Sequence, residues 1–164
     1  HEKRKDAMDK YPMTADGLKR LEDELRTLKI DERPAVIRAI ATAREHGEHS
    51  ENAEYHAARE RQSFIEGRVA ELESLISYAE VIDPSKLSGN TVKFGATVEL
   101  YDEDADEDVT YQIVGSHEAD IAEGRLSITS PLARGLIGRE VGDSVEVSAP
   151  GGAKSYEISK IKYV

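Results

Sequence analysis

Arg44-Glu45-His46-Gly47-Glu48-His49-Ser50-Glu51-Asn52-Ala53-Glu54-Tyr55-His56 is a run of carboxylates and imidazoles flanked on both sides by apolar stripes at helical spacing, and its position decides the fold. Upstream, Leu18, Leu21, Leu25 and Leu28 recur every three or four residues behind Thr14, a suitable N-cap. Asp31-Glu32-Arg33-Pro34 interrupts the stripe, which resumes through Ile37, Ile40 and Ala41 with its phase slipped by about one residue, as expected where proline kinks or restarts a helix. Gly47 marks the end of this arm and Ser50 is the expected cap of the next. Beyond it, Ala58, Gln62, Ile65, Val69, Leu72, Ile76 and Ala79 form a heptad-like seam. Two such stripes joined by a few residues predict an antiparallel helical hairpin over residues 14–80, with an acidic tip at 47–52. At 1.5 Å rise and some 30 residues per arm, its length is roughly 45 Å.

After Asp83-Pro84 the period changes from helical to two. Residues 96–101, 109–114, 126–129, 144–147 and 156–161 read as short strands with one face on a core. Asp102–Asp108 reads as a solvated hairpin loop and Pro150-Gly151-Gly152 as another, while Pro131–Ile137 predicts one short helix capped by Ser130. Residues 81–164 are therefore expected to form a separate, β-rich domain, giving an α+β chain of two domains. Residues 1–13 carry no periodicity and read as an N-terminal extension.

Composition excludes several classes of function. The 164 residues are 38% hydrophobic and 34% charged, and contain no cysteine, which removes disulfides, Fe–S clusters and Cys-containing zinc motifs. No apolar run approaches the roughly 18 residues that a membrane span requires, so a cytoplasmic, membrane-free protein is expected. Net charge is −11, and residues 80–164 alone carry 8 basic and 16 acidic side chains. Tight binding of free nucleic acid takes clustered Lys and Arg. Protein partners with basic surfaces fit this chain better.

Two long motifs give the chain its resemblance. Ala43–Glu60, with Gly47-Glu48-His49-Ser50-Glu51-Asn52-Ala53-Glu54-Tyr55 at its centre, is similar to a tip that in the Gre family of bacterial transcript cleavage factors usually reads Gly-Asp-Leu-x-Glu-Asn-Ala-Glu-Tyr. Ser127–Gly138, followed by Gly142-Asp143, looks like that family's C-terminal signature. The similarity runs from about Tyr11 to Val164. It implies an N-terminal coiled coil and a C-terminal domain like the FK506-binding proteins. It also implies a factor that binds RNA polymerase and stimulates the polymerase's own Mg²⁺-dependent cleavage of backtracked RNA, without being an enzyme itself. The coiled coil would enter the secondary channel, and Ser130 and Pro131 would dock on a coiled coil at its rim. This chain departs from the usual tip by Glu48 in place of Asp and His49 in place of Leu.

On that resemblance, Glu48 and Glu51 are the tip acids that assist the catalytic metal. Both are hard oxygen ligands, yet Mg²⁺ wants a near-octahedral shell that two carboxylates cannot fill, so the ion is expected to be shared with the polymerase and not held tightly by the free, monomeric protein. Arg44 and Arg59 are candidates to face RNA phosphate, or to make helix-surface ion pairs. Asn52 and Tyr55 either position the RNA 3′ end or brace the turn. Acids in a helix's first turn also interact favourably with its dipole, which is the alternative account of Glu51 and Glu54. His46, His49 and His56 do not have the spacing of a zinc site. A paralogue that occupies the channel without stimulating cleavage is the competing reading. A prolyl isomerase would need an aromatic-lined pocket built from Phe94, Tyr101, Tyr111, Tyr156 and Tyr163.

Overall fold

The computed structural model describes residues 10–47 and 52–164. The chain forms two compact units, residues 18–79 and residues 10–17 together with 80–164. Tyr11–Thr14 form a strand, β1, which pairs with a second short strand, β2 (Ala79–Ile82). Met13 is buried and Tyr11 meets the His117 ring edge-on at 4.9 Å. Four residues are too few to display a period, so nothing in Tyr11-Pro12-Met13-Thr14 announces a strand.

The helical unit is a hairpin. Helix α1 (Ala15–Thr27) runs into a π-helical turn at Leu28–Glu32, then α2 (Arg33–Arg44), and α3 (Ala53–Ser77) returns alongside. Thr14 caps α1 as expected, its Oγ1 accepting from Gly17 N–H at 3.0 Å. Pro34 stands in the first turn of α2, directly after the π turn. The π turn inserts one extra residue, so the buried stripe passes from Leu21 and Leu28 to Val36, Ile40 and Ala43. The expected stripe through Ile37 and Ala41 is corrected: Ile37 is 52% exposed, because the inserted residue rotates Val36 into the seam in its place. On α3 the seam runs through Tyr55, Ile65, Val69, Leu72 and Leu75, with Ile76 only half-buried. Each fully buried aliphatic here is worth roughly 1.5–3 kcal/mol. Ion pairs across the hairpin fix its antiparallel register: Lys29–Glu73 at 3.0 Å, Arg33–Glu66 at 2.7 Å, and Arg61 with Glu32. These are exposed, so each adds little stability.

The second unit is built on a five-stranded sheet in the order β5-β4-β3-β7-β6, comprising β3 (Thr97–Asp102), β4 (Glu107–Val114), β5 (Arg125–Ser127), β6 (Ser144–Ala149) and β7 (Gly152–Lys162). Only β4 and β5 run parallel. Val98, Leu100, Ile113 and Ile158 are fully buried on one face, covered by Ala133 and Leu136 of α4 (Pro131–Leu136). Glycine is needed in α4 at Gly135, where a Cβ would stand 2.7 Å from Val145 Cγ1. Asp102 is buried and not solvated, since its carboxylate accepts from the N–H groups of Asp104 and Ala105 and pairs with Lys154 at 3.1 Å. The Ala105 N–H bond above all, then Lys154, holds Asp102 below the usual carboxylate range. Tyr156 lies in the core, and the Tyr163 hydroxyl donates to Thr91 C=O at 2.6 Å while accepting from Lys93 N–H.

Candidate functional site

The candidate site is the turn between α2 and α3, and Asn52 organises its described part. The cap of α3 is Asn52 and not Ser50: its Oδ1 accepts from Tyr55 N–H at 3.0 Å. Its Nδ2 donates to Ala43 C=O at 2.5 Å, which ties the start of α3 to the end of α2. One side chain therefore satisfies an orphan donor of α3 and adds a second donor to a carbonyl at the end of α2 that also accepts from His46 N–H at 3.1 Å. Ser and Asn both cap well, so residue type alone does not choose between Ser50 and Asn52. Ser50 itself lies outside the described residues, as do Glu48, His49 and Glu51.

Tyr55 is the second organiser. Its ring is 8% exposed and packs with Ile40 and Ala43, with Ala58 partly covering it. The Arg44 guanidinium carbon lies 5.8 Å from the ring centroid and that of Arg59 5.9 Å, and Arg59 donates to the phenol oxygen at 3.0 Å. Cation–π attraction and hydrogen bonding both favour this arrangement. Hydrogen bonding from Arg44, then from Arg59, holds the phenol below the usual tyrosine range, because two cations favour the phenolate. The structure thus gives Asn52 and Tyr55 bracing roles. It brings Arg44 and Arg59 together on one tyrosine, where separate ion pairs with helix acids were one expectation.

A hollow of about 250 Å³ beside this cluster is lined by Ile37, Ile40, Ala41, Arg44, Arg59 and Gln62. His46 Nδ1 lies 3.3 Å from Glu54, and His56 meets the Tyr55 ring edge-on at 5.5 Å. Among the described residues, no three His, Asp or Glu converge as a metal ligand set. In the second unit, Ser130 caps α4 by accepting from Ala133 N–H at 3.2 Å and donates to Ser127 C=O at 2.7 Å, leaving Pro131 exposed beside it.

Asn52→Ala removes both bonds across the turn. It is expected to lower the stability of the hairpin by about 1–2 kcal/mol, read as a fall in the urea midpoint. An unchanged midpoint would show that the bridge to Ala43 carries no weight.

Known proteins resemble this chain along both halves of its sequence. Residues 11–81 match the family described as "Transcription elongation factor, N-terminal", and residues 87–163 match "Transcription elongation factor, GreA/GreB, C-term". The chain is 69% identical over 156 residues to the transcription elongation factor GreA of Acidiphilium cryptum, covering 95% of this chain and 99% of that protein. It is 65% identical to the factor of the same name from Rhodospirillum rubrum, with the same coverage of each. A solved structure, GreA factor homolog 1 of Thermus thermophilus, aligns over 93% of this chain and 98% of its own at 25% identity and a TM-score of 0.42. With both halves matched and identities far above 30% along nearly the whole length, the chain belongs to the GreA/GreB family of transcription elongation factors.

Proposed function

We propose that this chain binds RNA polymerase, inserts its helical hairpin into the secondary channel, and stimulates the polymerase's own cleavage of backtracked RNA, acting as a monomeric cytoplasmic factor with no nuclease activity of its own. The observation that carries the reading is the tip scaffold, in which Asn52 ties the end of α2 to the start of α3 beside the sequence positions of Glu48 and Glu51. A reaction that depends on position needs its two helices held together in this way, since misplacement by about 1 Å can cost 10²-fold.

Glu48 and Glu51 supply oxygen donors of the type Mg²⁺ takes, but too few to complete its shell, which accords with an ion shared with the polymerase. In two-metal phosphodiester cleavage one ion generates the nucleophile and the other stabilises the leaving oxygen. What this chain adds is charge and placement: two carboxylates at the turn, and two guanidinium groups lining the adjacent hollow, where an anionic RNA end can lie. Docking is assigned to Ser130 and Pro131, on the second unit.

The test is a backtracked elongation complex with Mg²⁺, to which the protein is added. Shortening of the RNA from its 3′ end, faster than in polymerase alone, supports the reading; inhibition of synthesis without cleavage would make the protein a channel-occupying regulator instead. Within this reading, Glu48→Asp brings the tip to the family's usual acid. It is expected to raise the cleavage rate under limiting Mg²⁺ by up to about tenfold, or about 1.4 kcal/mol. A slower rate at every Mg²⁺ concentration would mean that the loop has adjusted to the longer side chain.

A further inference from the structure

It is the ring of Tyr55, 8% exposed, that packs with Ile40 and Ala43, and a phenyl ring would fill the same space. The hydroxyl serves the cations instead: Arg59 Nη1 donates to it at 3.0 Å, and Arg44 hydrogen-bonds to it from α2. Four other arginines of the hairpin face acids, Arg26 with Asp23, Arg33 with Glu66, Arg61 with Glu32 and Arg68 with Glu24. Among the described residues, no carboxylate lies within ion-pair distance of Arg44 or Arg59. Two like charges brought onto one neutral phenol repel each other and gain only a dipole in return, so the cluster is a poor way to stabilise the end of a hairpin. It is a good way to hold charge ready. A guanidinium bound to a carboxylate is neutralised, whereas one bound to a hydroxyl keeps its charge and, with five N–H donors, has others to offer an incoming anion. Both side chains line the hollow of about 250 Å³ that Gln62 also lines.

Released from the phenol, each arginine would sample many rotamers, and an anion would have to order both on arrival. We propose that Tyr55 is a positioning residue: its hydroxyl holds the Arg44 and Arg59 guanidinium groups, un-neutralised, along one hollow, so that they meet a transcript phosphate as a preorganised pair. The action on RNA rests on the function proposed above, whereas the holding of the two side chains does not. All the groups involved stand on α2 and α3, within the helical unit.

The test uses the full chain with Tyr55→Phe, which keeps the ring and deletes the hydroxyl. Order parameters of the arginine Nε–H groups, measured by nitrogen relaxation, read the holding directly. In Tyr55→Phe those of Arg44 and Arg59 are expected to fall below about 0.6, while those of Arg33 and Arg68, whose Nε donates to Glu66 and Glu24, stay unchanged and show that the hairpin is folded. Maximal stimulated cleavage at saturating protein is expected to fall about tenfold, with the half-saturating concentration changed less than about twofold, because loose cations lose rate and not docking. The same substitution is then made in an Arg44→Ala, Arg59→Ala background. There it is expected to lower the residual rate by less than about twofold, since Tyr55 acts only through the two arginines. Unchanged arginine order in Tyr55→Phe would overturn the holding. Lost order with an unchanged maximal rate, or a tenfold fall that persists without the arginines, would overturn the positioning role. If the parent protein stimulates no cleavage, the proposed function falls and the action on RNA with it, while the order parameters still decide the holding.

Discussion

Glu51→Ala is expected to abolish stimulated cleavage of backtracked RNA while leaving polymerase binding within about twofold, the largest functional effect of any single change considered. The carboxylate is one of the two tip acids assigned to the divalent ion, and the described acid next to it, Glu54, lies 3.3 Å from His46 Nδ1. Removing one preorganised electrostatic partner of a transition state commonly costs on the order of 10²–10³ in rate, about 2.7–4 kcal/mol. Binding should survive because docking is assigned to the second unit, around Ser130 and Pro131. Cleavage and binding measured on the same complexes decide the matter, and a parallel loss of both would sink this division of labour.

Ile158→Ala is expected to have the largest effect on stability. Ile158 is fully buried on β7, opposite Leu100 of β3, in the main cluster of the second unit. Its backbone is committed as well, donating to Asp143 C=O at 2.9 Å and accepting from Gly142 N–H at 2.8 Å, so the strand cannot easily collapse into the space left behind. Large-to-small changes at such sites cost about 2–5 kcal/mol, against a total of about 5–15 kcal/mol for an ordinary domain. Urea unfolding followed by a probe in the sheet should report it, and a loss below about 1 kcal/mol would mean that the core repacks freely.

Most of the helical hairpin was legible in the sequence because leucines at 3.6-residue spacing face one partner and nothing else competes with that signal. The error at Ile37 came from the π turn, whose single extra residue is invisible to a pattern search that allows a slip but cannot place it. Leu75 and Ile76 both lie near the drifting seam, so spacing alone could not choose between them. The strands β3, β4, β6 and β7 were legible by alternation, whereas β1 and β2, at four residues each, were not. At the tip, Glu48 and Glu51 lie outside the described residues, while the geometry of Asn52 and Tyr55 shows bonds and packing that brace the turn. Spacing cannot reveal that, because a cap and a ligand contact draw on the same side-chain atoms. The buried bond between Glu118 and Thr14 is illegible for a plainer reason: in the sequence Glu118 is one acid among 33, and only the fold brings Thr14 to it across 104 positions.

The π turn at Leu28–Glu32 also bears on how the gene can change. Val36, Ile40 and Ala43 stand eight, twelve and fifteen residues after Leu28, each one more than the spacing that keeps a continuous α-helix on one face. Losing one codon within the turn should therefore leave an unbroken helix with its seam in phase and the Ala43 carbonyl still beside Asn52. A codon lost from α1 or from α2 instead would turn every side chain beyond it by about 100° about the axis, so single-codon gaps should be tolerated in the turn and selected against on either side of it.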